Sequence, residues 1–169
     1  MNRRPRAPRM ATERYQRPCL DTNVFIDFLH GASASTPRRA GIAREIFDGA
    51  EQGLYKIVAS TMVVAELIRD PGTIQVTGQD LRLDAFLLQP FFVWVDVDLA
   101  VARLARSLAG QHSIRNPRDA VHLASGIRGE ADCLLTADRR DMPPGVYEQL
   151  RVAEPYFPYD RPLSLDPGE

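Results

Sequence analysis

Lysine occurs once in this 169-residue chain, at Lys56, so nearly every basic side chain is an arginine. Arginine suits bidentate phosphate contacts. The bias runs through the whole chain, however, and by itself reads as composition rather than as a binding face. Cysteine is scarce as well. Cys19 and Cys133 both sit inside apolar runs and read as small core residues, too few for a disulfide framework, which fits a reducing cytoplasm. No apolar run is long enough for a membrane span: the best, from residue 85 to 95, is broken by Gln89-Pro90 and falls short of the ~20 residues required. No apolar stretch of secretory type follows Arg3-Arg4, because Asp21 and Asp27 interrupt the candidate. A strong net charge is also missing. The formal value is −1, yet residues 1–18 hold six arginines against Glu13, and the remainder carries −6. Global charge therefore gives no nucleic-acid signal, and any RNA or DNA would depend on local arginines around an acidic centre.

The length suits one domain with a sizeable core. An Arg-rich arm over residues 1–17 precedes the domain, residues 18–154 carry the alternating pattern of strands and helices, and residues 155–169 form a Pro-rich tail without periodicity. Within the domain, residues 18–21 read as a first strand, followed by a helix to about Leu29 with Thr22-Asn23 as cap candidates. A helix opens at Pro37, with Ile42, Ile46 and Phe47 at helical spacing, and stops near Gly53. Residues 55–59 form the second strand, Ser60 or Thr61 caps the helix that holds Glu66, and Asp70-Pro71-Gly72 ends it. A helix over 79–88, a strand over 91–95, a helix capped by Asp98 and a helix opened by Asn116-Pro117 follow. Residues 132–135 are the fourth strand, Pro143-Pro144-Gly145 a turn, and residues 149–153 a short fifth strand. The alternation predicts an α/β domain with three α/β/α layers around a central, mainly parallel sheet of four to five strands.

Four acids stand in distinctive contexts. Asp21 in CLDTN and Asp138 in LLTADRRD follow short buried-strand runs, at the edge where open α/β sheets bind ligands. Glu66 in VVAELIRD and Asp119 in PRDAVHLA lie near the beginnings of predicted helices, among apolar neighbours, where an unpartnered charge is costly. Brought together, such carboxylates repel by ~4 kcal/mol per nearest pair at an effective dielectric of 20. A divalent ion removes that cost, and oxygen ligands suit Mg²⁺ or Mn²⁺. Two other Mg²⁺-binding designs fit poorly. A dehalogenase-like phosphatase wants a second acid where this chain has Asn23, and a receiver domain wants a late lysine where the only one, Lys56, begins the second strand.

These four motifs, in this order, resemble those of the PIN-domain nucleases, and within them the VapC-like toxins of bacterial toxin–antitoxin pairs. The match runs through Leu20-Asp21-Thr22-Asn23, Val64-Ala65-Glu66-Leu67, Asp119-Ala120-Val121-His122-Leu123-Ala124 and Leu134-Leu135-Thr136-Ala137-Asp138, covering about residues 19–153. The resemblance implies a Mg²⁺- or Mn²⁺-dependent endoribonuclease, in which Asp21, Glu66, Asp119 and Asp138 hold one or two ions that activate a water for in-line attack on the phosphodiester. Asp141 competes with Asp138 as the fourth acid. Thr22, Asn23 and Thr136 are expected to orient the carboxylates or water. Arg115, Arg118, Arg139 and Arg140 flank the third and fourth acids as candidate RNA contacts. For His122, one helical turn after Asp119, a packed or hydrogen-bonded role outweighs that of a general base. The implied partners are an RNA substrate, a cognate antitoxin and a second copy of the chain. The apolar helices over 37–54 and 79–88 are candidates for the protein contacts, with core packing as the competing reading. Two other functions share these motifs: a non-catalytic PIN-like RNA- or protein-binding module, and an RNA-processing nuclease without a toxin role.

Overall fold

The computed structural model of the chain describes residues 14–31, 36–67 and 78–159. The expected breaks at Asp70-Pro71-Gly72 and Gly31 to Thr36 therefore fall wholly or largely outside the described residues, as does most of the arm. The elements alternate: β1 (Pro18–Leu20), α1 (Thr22–His30), α2 (Pro37–Glu51), β2 (Ile57–Ser60), α3 (Met62–Glu66), α4 (Gly78–Leu87), β3 (Phe92–Val95), α5 (Leu99–His112), α6 (Pro117–Arg128), β4 (Cys133–Leu135), β5 (Gly145–Tyr147) and β6 (Leu150–Ala153). Among the described residues they form one sheet in the order β3-β2-β1-β4-β6-β5, parallel throughout except where β5 turns back on β6. β5 is one strand more than expected. It sits immediately after Pro143-Pro144, where turn signals mask a three-residue strand whose first two residues are exposed.

The period-2 alternation of strand side chains builds both cores. Leu20, Ile57, Ala59, Cys133 and Leu135 join one buried cluster with Phe25, Ile46 and Phe47 of α1 and α2. Their neighbours Cys19, Val58, Leu134 and Val152 face the other way, into a cluster with Ala105, Leu108, Leu123 and Ala124 of α5 and α6. Both cysteines are free and buried. On α2 the residues Ala40, Ala43, Ile46, Phe47 and Ala50 recur at three- and four-residue spacing and are all buried, so its apolar stripe belongs to the core. Tyr15, placed in the arm by sequence, is 1% exposed and packs edge-on against Tyr55, Tyr156 and Tyr159, and its hydroxyl donates to the Tyr156 carbonyl at 2.8 Å. The chain just before β1 and just after β6 thus shares one aromatic cluster.

Strand order sets the location of everything that follows. From β1 the chain steps outward to β2 and β3 on one side, and β4, β6 and β5 lie on the other, so the order reverses between β1 and β4. Their exits are tied together, with the Asp21 N–H donating to the Leu135 carbonyl at 3.1 Å. Such a switch point leaves an open crevice at the carboxyl ends of the two strands.

The end of α6 approaches β2 and β3 at close range. A Cβ added at buried Gly129, just past the helix end, would lie 2.5 Å from Val58 Cγ1 and 3.0 Å from Val95 Cγ2. Valine at both contacts is stiff. Gly129→Ala is therefore expected to destabilise the fold by about 1–3 kcal/mol through overpacking, read as a lower urea midpoint. An unchanged midpoint contradicts the close approach.

Candidate metal centre

Asp21 leaves β1 in extended backbone and is the N-cap of α1, a place the sequence pattern assigns to Thr22 or Asn23. Its Oδ1 accepts the Thr22 N–H at 2.7 Å. Its Oδ2 accepts the Thr136 hydroxyl at 2.5 Å and a close hydrogen bond from the Asn23 amide. Asn23 spans the same gap twice more, donating to Thr136 Oγ1 and accepting the Ala137 N–H, both at 3.0 Å. Thr136 Oγ1 also receives the Asp138 N–H at 3.0 Å. One network therefore fixes the exits of β1 and β4 and the two acids they carry, with Thr22, Asn23 and Thr136 as orienting groups.

Glu66 lies at the end of the five-residue helix α3 rather than near the start of a longer one. Its Oε2 accepts the Thr22 hydroxyl at 2.5 Å and lies 2.7 Å from His122 Nε2, while its Oε1 lies 3.4 Å from Arg118 Nε. Burial pushes the Glu66 carboxyl upward, but the hydrogen bonds from His122 and Thr22 and the charge of Arg118 outweigh it and hold it below the usual range. His122 is 1% exposed, and its Nε2 is also 3.2 Å from Thr22 Oγ1 and 3.6 Å from Asp21 Oδ1. Its Nδ1 is buried without a hydrogen-bond partner. A proton on Nε2, donated to Glu66, accounts for these contacts. His122 is a buried, hydrogen-bonded support for Glu66.

Asp119 occupies the first turn of α6, whose N-cap Asn116 accepts the Arg118 N–H and donates its own amide to Asp119 Oδ1 at 3.0 Å. Asp119 Oδ2 is buried with no hydrogen-bond partner. Asp119, Asp138 and Asp141 each bring a carboxylate oxygen within 4.8 Å of the others. Asp138 and Asp141 are thus not alternatives in space: both stand beside Asp119, and the Asp141 N–H donates to Asp138 Oδ1 at 3.0 Å. Burial, then the negative charges of Asp21 and Asp138, with a smaller push from Asp141, raise the Asp119 carboxyl to about 6 against the opposing pull of His122. Asp21 and Glu66 meet at His122 Nε2, and Asp21 acts on Asp119 through its charge, but among the described residues only Asp119, Asp138 and Asp141 bring carboxylate oxygens within 4.8 Å of one another.

The arginines divide. Arg118 reaches Glu66, and Arg139 donates to Glu154 at 2.5 Å with its side chain 70% exposed. Arg115 and Arg140 are exposed, and the Arg140 N–H caps Asp138 Oδ1 at 2.8 Å. Sequence reasoning omitted Arg39 of α2, which lines a cleft of about 480 Å³ together with Asn23, Ala137, Asp138, Arg139 and Arg140. It also read Asn116 only as part of the Asn116-Pro117 pair that opens the helix, although the Asn116-Pro117-Arg118-Asp119 spacing carries its bond to Asp119.

The donor set suits a hard divalent cation. It consists of carboxylate oxygens, one of them buried and left without a donor, in a cluster whose mutual repulsion is about 3–4 kcal/mol per pair at these separations and an effective dielectric of 20.

The PIN domain family model matches residues 19–142, and the chain belongs to the PIN domain family. Solved structures share the fold. A chain of a toxin–antitoxin complex from Klebsiella pneumoniae is 18% identical with a TM-score of 0.53, covering 82% of this chain and 98% of that one. DNA-bound VapBC from Salmonella typhimurium gives 15% identity and a TM-score of 0.57 over 82% and 98%, and FitAcB from Neisseria gonorrhoeae gives 20% and 0.53 over 82% and 97%. No curated protein matches in sequence. Among the described residues, no helix is long and apolar enough to cross a membrane.

Because the folded-state pKa of Asp119 is raised, the folded protein binds this proton more tightly than the unfolded chain does. The contribution of this group to the stability of the metal-free protein is therefore fully present below about pH 4, is lost as pH rises through about 6, and stays absent above. Asp119→Asn is expected to remove this term and raise stability in EDTA at pH 7.5 by about 1–2 kcal/mol, after discounting for solvent screening. Thermal melts across pH 4–8 check it. A variant no more stable than wild type at pH 7.5 contradicts the crowding of charge.

Proposed function

We propose that this chain is a Mg²⁺- or Mn²⁺-dependent endoribonuclease and the toxin of a toxin–antitoxin pair. The observation that carries the reading is the set of four motif acids at the β1/β4 switch point of a PIN domain, with the buried Asp119 Oδ2 left without a donor. In this reading Asp21, Glu66, Asp119 and Asp138 hold the metal, and Asp141 offers a further oxygen beside Asp119 and Asp138. When bound, a divalent ion polarises the scissile phosphate and lowers the pKa of the attacking water.

The protein's own groups prepare that site. Thr136 and Asn23 fix the Asp21 carboxylate, Thr22 and His122 fix Glu66, and Asn116 turns Asp119. Arg115, Arg118, Arg139 and Arg140 supply cations for the RNA backbone around the acids. The toxin assignment draws on the fold shared with the Klebsiella pneumoniae chain, which is described as part of a toxin–antitoxin complex. An antitoxin and a second copy of this chain are the proposed protein partners. The α2 stripe is buried, but Leu54 just after it is exposed, as are Leu29 of α1, Val64 of α3 and Leu88 after α4, and these are among the apolar groups available to such partners. The two free, buried cysteines accord with a reducing cytoplasm.

Purified protein incubated with total RNA is expected to cleave it with Mg²⁺ or Mn²⁺ and not in EDTA. Asp21→Asn should reduce the rate by about 100-fold or more, and Thr136→Val, which removes only an orienting donor, by about 10- to 100-fold. Folded protein that is free of bound inhibitor and cleaves with neither metal would refute the nuclease and favour the binding module. Growth arrest on induction, relieved by a co-expressed small neighbouring protein, is the expected sign of the toxin role. Harmless expression of an active nuclease points to RNA processing.

A further inference from the structure

The cleft beside the acids is lined by groups of opposite sign: Asn23 and Asp138, members of the carboxylate network, together with Arg39, Arg139 and Arg140. Arg39 comes from the first turn of α2, far in sequence from the motif residues it faces. Its guanidinium is held from behind. Nε donates to Asp27 Oδ2 at 2.8 Å, and Asp27 is a buried acid of α1 with its side chain 11% exposed, whereas the Arg39 side chain remains 42% exposed. A buried carboxylate gripping one edge of a guanidinium fixes its plane, and the terminal nitrogens, which take no part in that bond, carry the charge toward solvent. Asp27 is otherwise an unexplained acid in the middle of an apolar helix face. Positioning Arg39 gives it a role.

We infer that this cleft is a subsite for the backbone phosphate of single-stranded RNA next to the one being cut, with Arg39 and Arg140 as its cations. The inference rests on the nuclease reading and adds to it where the strand runs: from the carboxylates over Asn23 and Asp138 toward the start of α2. A volume of about 480 Å³ accommodates a nucleotide-sized group. None of the residues lining the cleft is aromatic, and apart from Asn23, whose amide is engaged with Asp21, Thr136 and Ala137, its side-chain polar groups are charged. Aromatic stacking is therefore missing among the lining residues, and the contact inferred is to phosphate, independent of sequence.

The test is fluorescence anisotropy of labelled single-stranded oligoribonucleotides of several sequences, in EDTA over a KCl series, with cleavage in Mg²⁺ measured in parallel. Arg39→Gln alone strands the Asp27 carboxylate, so Arg39→Gln is combined with Asp27→Asn. Arg140→Gln is the second variant and Arg106→Gln, exposed on α5, the control. Both test variants are expected to bind every sequence about 3- to 10-fold more weakly, with the slope of log K against log salt shallower by about 0.7, the contribution of one single-strand phosphate contact. In cleavage KM rises and kcat is held within about twofold, as for binding made equally in ground and transition states. Variants that melt like wild type yet keep its affinity and slope overturn the subsite. If wild type still cleaves, they overturn the subsite alone. Wild-type protein that neither binds nor cleaves RNA overturns the nuclease reading with it.

Discussion

Like charges brought to one edge of a sheet repel, and in this chain a bridge of neutral hydrogen bonds between the exits of β1 and β4 holds them there. Asp21 accepts from Thr136 and Asn23, and Asn23 ties back to Ala137. The parallel pairing of β1 with β4 sets these groups side by side, since Leu20 is in register with Leu135 and Asp21 and Thr136 are the next residues on each strand. Remove the pairing and there is no crevice. Remove the bridge and the acids separate to relieve their repulsion. The apolar layers on either side of the sheet stabilise the platform on which this local opposition is sustained.

What could be read in the sequence follows from the range of each interaction. Asp21 and Asp138 were legible because a short apolar run followed by an acid marks a strand exit, and strand exits on a parallel sheet share one edge. Asp119 was legible from Asn116-Pro117, an N-cap and an N1 proline that fix where α6 starts. The partners of Glu66 were not, since Thr22 and His122 lie 44 and 56 residues away and meet it only after the sheet has formed. Nor could the sequence separate Asp138 from Asp141, because a tight turn after β4 lets both reach Asp119. Arg39 was hidden by abundance, as one arginine among many in a helix that otherwise reads as core. Tyr15 was hidden by its arginine-rich neighbours, although its ring is as buried as any strand residue.

The donors around the site sort by charge in a way that bears on function. Asp21 is oriented by hydroxyl, amide and backbone N–H groups, and Asp119 by an amide. Neutral donors fix the direction of a carboxylate and leave most of its charge in place, whereas a guanidinium pairs with the charge and lessens it. One guanidinium reaches a motif acid, Arg118 at 3.4 Å from Glu66 Oε1, and the others stand at the margins, Arg139 on Glu154 and Arg39 on Asp27. The negative potential is left concentrated where Asp119, Asp138 and Asp141 converge, and the positive charge stands beside it rather than within it. On the proposed function a cation and a polyanion make opposite demands on one surface, and only separation in space meets both. An arginine in place of Thr136 would fix Asp21 at least as firmly, but the charge it brought would cancel part of the negative potential that Asp119, Asp138 and Asp141 concentrate there.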